Sequence, residues 1–191
     1  MTDREIRETP RPEAPVSRTV FKYIVFSLFV FITAAFQSSF FSTAAVFPAV
    51  PDLLLTAVLG FALFDGERSG AVAGIVAGVT AGALGADGAA VLPLFYFALG
   101  WIFGRLAAKS LRKNIITWTL CVLAAAAARS GLSALYIVVT DTQATLPGVL
   151  FGILIPEFVM TVVFSYFNYF LTGLAARPFA PRTQGAGDRD E

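Results

Sequence analysis

Three stretches of this chain, residues 23–64, 69–104 and 114–176, carry only five charged side chains between them: Asp52, Asp87, Arg129, Asp141 and Glu157. A domain folded in water would have to expose much of that apolar surface to solvent. A bilayer imposes no such cost, so the pattern selects a polytopic membrane protein. Composition agrees. Hydrophobic residues make up 57% of the chain and charged residues 14%, against about 45–50% and 25% in soluble domains. The length of 191 residues suits one compact bundle.

The apolar segments fall at about 20–41, 44–64, 69–86, 89–104, 115–140 and 146–174. About 20 residues are needed to cross roughly 30 Å of hydrocarbon. Six spans are therefore expected in an all-α fold, with five spans and a re-entrant piece as the alternative. Pro48 and Pro51 make the second segment either a span with a kinked entry or a shorter helix starting at Asp52. Residues 1–19 and 175–191 read as disordered cytoplasmic tails flanking a bundle over 20–174. The first span is too long for the core of a cleaved signal peptide.

Cations orient the bundle. With both termini inside, thirteen of the fourteen basic residues lie on the cytoplasmic side, all except Arg129. The presumed external loops carry only Asp52, Asp87 and Asp141. This is a strong positive-inside bias. Trp101 and Trp118 flank a basic loop containing Arg105, Lys109, Arg112 and Lys113, as interfacial aromatics do, and Tyr166 and Tyr169 are expected at the same face. That loop either meets anionic lipid or a cytoplasmic filament, or simply records topology.

Within the third segment, Gly70, Gly74, Gly78 and Gly82 recur every fourth residue. In water each would cost a helix about 1 kcal/mol relative to alanine. In lipid the helix forms regardless, and the row becomes a groove for a second helix of this chain or another. Two ionisable residues, Arg129 and Glu157, are expected at similar depth within the membrane, on consecutive spans. They are read as an ion pair fixing helix register, or as the polar lining of a cavity that takes a ligand or a partner's charge. The five alanines before Arg129 allow close approach, and Pro156 bends the chain before Glu157. Asn168 is expected at the interface, and Thr33, Thr80 and Thr161 are expected to bond back to their own helices.

Catalytic chemistry finds few groups here. Histidine is absent, and the lone Cys121 sits in an apolar segment. The run Asp65–Arg68 resembles the start of a lipid-headgroup transferase motif, but the aspartates that should follow are missing, which leaves a tight turn. No enzymatic activity, cofactor, metal or nucleic-acid partner is expected.

The order of these features resembles the rod shape-determining protein MreD family. The likeness covers roughly 20–172 and rests on Gln37, on Pro51-Asp52-Leu53-Leu54-Leu55, on Glu67 and Arg68, on the glycine span, and on Gly100 and Gly104. One departure is plain: many members carry an aspartate late in the glycine span, where this chain has Ala81 and Gly82. The resemblance implies a bundle similar to the substrate-binding subunits of ECF vitamin transporters. It implies a non-enzymatic role in the cell-elongation machinery of the bacterial inner membrane, which builds peptidoglycan. The implied partners are MreC and, through the complex, RodA, a class B penicillin-binding transpeptidase and the actin-like MreB. The alternative is a substrate-binding subunit of an ECF-type transporter, and a lipid-handling role is a weaker third.

Overall fold

The structure, a computed structural model, describes residues 16–41, 50–85, 90–109, 115–140, 146–176 and 178. Every regular element among them is helical. Helix α1 (Val16–Phe36) ends in a π-helical turn, Gln37–Phe41. Helices α2 (Leu53–Asp65), α3 (Glu67–Ala83), α4 (Leu92–Lys109) and α5 (Ile115–Thr140) follow. A short α6 (Leu146–Val149) and a second π-helical turn, Leu150–Leu154, lead into α7 (Ile155–Ala176). Pro156 has no N–H to donate to the Gly152 carbonyl four residues back, and that carbonyl lies within the second π turn.

Three helical runs are long and apolar enough to cross a membrane: Thr19–Ser39, Ile115–Thr140 and Leu150–Ala176. Leu53–Asp65 and Leu92–Ala108 are apolar but shorter. The outward faces are oily, with Phe31, Leu120, Val139 and Phe170 all prominently exposed. Such surface is what lipid, not water, accommodates.

Among the described residues, the second apolar segment forms a helix that starts directly after Asp52. Its thirteen residues cover about 20 Å at 1.5 Å each. It is also the centre of the bundle. Residues 51–63 are buried on every side, and α2 touches α1, α3, α4, α5 and α7. The sequence LLLTAVLGFALF has no polar face, and a helix apolar all round belongs inside. Phe61 stacks on Phe26 of α1 at 4.1 Å between ring centroids and meets Phe29 edge-on at 5.4 Å.

Gly66 alone joins α2 to α3. Its φ of +93° and ψ of −172° lie where side-chain-bearing residues are strained. Its N–H donates to the Ala62 carbonyl at 3.1 Å, closing α2 as the chain reverses. Asp65 beside it pairs with Lys22 of α1 at 2.5 Å and accepts a hydrogen bond from Ser69. The tight turn expected from Asp65 and Gly66 is thus present, tied to α1.

The glycine row meets a helix of the same chain. Helices α3 and α4 pack antiparallel, with Gly70 opposite Gly100, Gly74 opposite Tyr96, Gly78 opposite Pro93, and Glu67 opposite Gly104. At each of these glycines an added Cβ would overlap the main chain of the facing helix. The seam therefore gains its energy from backbone-to-backbone dispersion, as small residues permit in membranes. Gly82 lies half-buried at the end of the row, and its carbonyl accepts the Gly85 N–H in the closing turn. On α2, Gly60 makes room for the Thr172 side chain of α7.

Substituting Gly74→Leu together with Gly78→Leu should sharply lower the thermal unfolding temperature in detergent, because main chain cannot yield as a side chain can. Gly131 on α5 faces open space, so Gly131→Leu should leave that temperature nearly unchanged. Equal behaviour of the two variants would remove the seam from the account.

Candidate functional site

An α-helix leaves its first N–H groups without internal partners. Helix α2 begins inside the bundle, so those groups need protein acceptors. The sequence supplies them from three elements. Asp52 is the N-cap, and its Oδ1 accepts the Leu55 N–H at 2.9 Å. Gln37, in the π-helical turn after α1, places Oε1 2.9 Å from the Leu53 nitrogen and 3.3 Å from that of Leu54. Thr161 of α7 accepts the Asp52 N–H at 2.9 Å.

The other Asp52 oxygen faces α4 and α5. The Tyr96 hydroxyl donates to Oδ2 at 2.6 Å, and the Arg129 Nε lies 3.5 Å from it. Arg129 also donates to Ser133, one turn along α5. Asp52 is 6% exposed and Tyr96 2%, so the carboxylate sits in protein and not in an external loop. A carboxylate at a helix N-terminus is favoured by the helix dipole, and the guanidinium neutralises it further.

This corrects the expected pairing. Arg129 pairs with Asp52, not with Glu157. Glu157 lies within electrostatic reach of both, yet makes no hydrogen bond or ion pair among the described residues. Arg129 and Glu157 are expected at one level from their positions along consecutive helices, but position along a helix says nothing about which way a side chain turns. The signal that pointed to Asp52 was available: an acidic residue directly before an apolar helix with no basic neighbour in sequence.

A second polar contact holds α7 to α2. The Asn168 Nδ2 donates to the Leu53 carbonyl at 2.9 Å and to the Thr56 hydroxyl at 2.7 Å. Asn168 is 3% exposed, so it is a core residue and not an interfacial one. Its orientation follows from the Leu53 carbonyl, which can only accept. Thr172 donates to the Asn168 carbonyl at 2.8 Å and packs against Gly60. Thr33 and Thr80 bond back to their own helices as expected, whereas Thr161 accepts across helices. Trp118 is also fully buried, against Tyr169 at 5.1 Å between centroids. Of the two tryptophans only Trp101 is exposed, with the Arg105 guanidinium over its ring at 5.3 Å.

The remaining expected positions divide simply. Pro51 is buried just before the Asp52 cap. Glu67 and Arg68 open α3 at the opposite end of the bundle, near Lys22 and Arg105. Lys109 closes α4, while Arg112 and Lys113 lie outside the described residues. No group of three potential metal ligands occurs among the described residues. The groups gathered at α2 brace its N-terminus; among the described residues the buried Arg129 Nε and Asn168 Oδ1 beside it make no hydrogen bond. No protein-family model matches the chain, and no curated protein or solved structure is detectably similar to it.

Removing Arg129 leaves a buried carboxylate uncompensated, a loss of about 3–5 kcal/mol for pairs of this kind. Arg129→Ala should therefore lower the yield of folded protein, and adding Asp52→Asn should recover part of it. Adding Glu157→Gln to Arg129→Ala should recover less. A double-variant cycle with the opposite ranking would return the pairing to Glu157.

Proposed function

We propose that the chain is a non-catalytic subunit of the bacterial cell-elongation complex, a six-span scaffold of the inner membrane with both termini cytoplasmic. Its direct partner in this reading is MreC, and RodA, a class B penicillin-binding transpeptidase and MreB join through the complex. The observation that carries the reading is where the resembling segments meet. Gln37 and Asp52 cap the same helix end. Gly70, Gly74, Gly100 and Gly104 lie on one seam. The residues behind the likeness thus build a frame, and no pair of them is set out like a nucleophile and its base.

A scaffold needs an outer face for its partner. The glycine groove is filled by α4, so the face offered to a partner's transmembrane helix is that of α5 and α7. Helix α5 is packed mainly against α7 and α2, and it leaves Ile116, Leu120, Leu135 and Val139 exposed along its length. Small-residue and apolar packing of this type is how single helices associate in lipid.

The transporter reading draws on one observation of its own. Arg129 and Glu157 lie beside the N-terminus of a helix that starts within the bundle, and such helix ends serve as ligand sites in transporters.

Affinity purification from gently solubilised membranes separates the two. The tagged chain should bring down MreC together with a polymerase and transpeptidase, and Leu135→Trp with Val139→Trp should reduce that recovery without loss of folded chain. Recovery of an ATP-hydrolysing module in place of MreC would establish the transporter reading instead.

A further inference from the structure

The cationic end of the bundle contains an open cavity of about 780 Å³ between α1, the α2–α3 turn and α4. Its lining carries Lys22, Arg68 and Arg105 against Asp65 and Glu67, a formal balance of one positive charge. Lys22 and Asp65 are engaged with each other. Glu67 sits in the first turn of α3, where the helix dipole favours it. Arg68 and Arg105 are exposed and form no ion pair among the described residues. Gly104 brings them to one cavity, because it lets α4 touch the α3 main chain at Glu67. Each arginine follows that contact by one residue on its own helix. Trp101 braces Arg105 from beneath.

From this cavity an apolar track runs along α3. Arg68, Val72, Ile75 and Val79 fall on one helical stripe. Val72 is half-buried, Ile75 is 46% exposed and Val79 56%, whereas Ala73, Gly74, Ala77 and Gly78 on the remaining sides are buried. Helices α1 and α4 both pack against α3. The stripe spans about 16 Å from Arg68 to Val79 at 1.5 Å per residue. That matches one leaflet of a hydrocarbon core about 30 Å thick.

The geometry points to a binding site for one anionic glycerophospholipid of the cytoplasmic leaflet. Its phosphodiester lies between Arg68 and Arg105, and an acyl chain follows the α3 stripe. The net positive lining selects a headgroup of net charge −1 over a zwitterion. The apolar track selects a lipid over a soluble phosphate ester. The site is independent of whether the chain serves as a scaffold or a transporter subunit.

The test uses the full-length protein in nanodiscs of phosphatidylcholine containing a minor fraction of acyl-brominated lipid. Bromine quenches nearby tryptophan, and of the chain's two tryptophans Trp101 lines the cavity whereas Trp118 is buried. Brominated phosphatidylglycerol should quench at a mole fraction about tenfold lower than brominated phosphatidylcholine, given the pull of two arginines on one anionic headgroup. Arg68→Gln with Arg105→Gln should abolish that preference, and the corresponding double lysine variant should keep most of it. Ile75→Gln should weaken quenching by phosphatidylglycerol while the arginines remain. Added glycerol 3-phosphate should not compete. Equal quenching by the two lipids in the unsubstituted protein, or a preference that survives the double glutamine variant, overturns the site. Full competition by glycerol 3-phosphate overturns its assignment to lipid.

Discussion

A helix that starts within a membrane bundle must find acceptors for its first N–H groups where water does not supply them, and each group left unsatisfied there costs several kcal/mol. The arrangement around α2 follows from that requirement. Asp52, Gln37 and Thr161 come from three separated parts of the chain and converge on one helix end. Once they do, α1, α2 and α7 are fixed relative to one another. The Asp52 carboxylate in turn positions Tyr96 and Arg129, which sets α4 and α5 against the same point. One helix terminus thus organises five helices.

Two kinds of contact divide the work on either side of α2. On one side, α3 and α4 close at backbone distance through glycine, a contact that is specific in shape and made largely by main chain. On the other, α5 and α7 are held by hydrogen bonds and one ion pair, with Asn168 bridging to the Leu53 carbonyl and to Thr56. The first contact resists enlargement of any seam residue. The second depends on charge compensation, since a buried pair broken on one side is more costly than no pair at all. The exposed apolar faces of α5 and α7 adjoin the second group, so an incoming helix would press on the elements held by polar contacts and not on the glycine seam.

The positions of the helices could be read from the chain with little error. The segments near 20–41, 115–140 and 146–174 correspond to α1, α5 and α6–α7, and the glycine row marked a helix-packing surface that α4 fills. The site could be read only in parts. Arg129 stood out because an isolated cation in an apolar run demands a partner. Asp52 did not, because its neighbours Pro51 and Pro48 made it look like a loop residue. Distance from a helix end suggests the interface for Asn168 and Trp118, yet both face the core. In each case position along the helix carries no information about rotation about the helix axis, which decides what a side chain faces.

The sequence by itself determined the helical class and the apolar character of the surface, because these depend on sums over many residues. Which side chains meet was decided by tertiary structure alone. Pairing of Arg129 with Asp52 instead of Glu157, and filling of the glycine groove by α4, depend on how neighbouring helices are rotated and offset. Those quantities are fixed by the few close contacts that satisfy every buried polar group at once, and no local stretch of residues contains them.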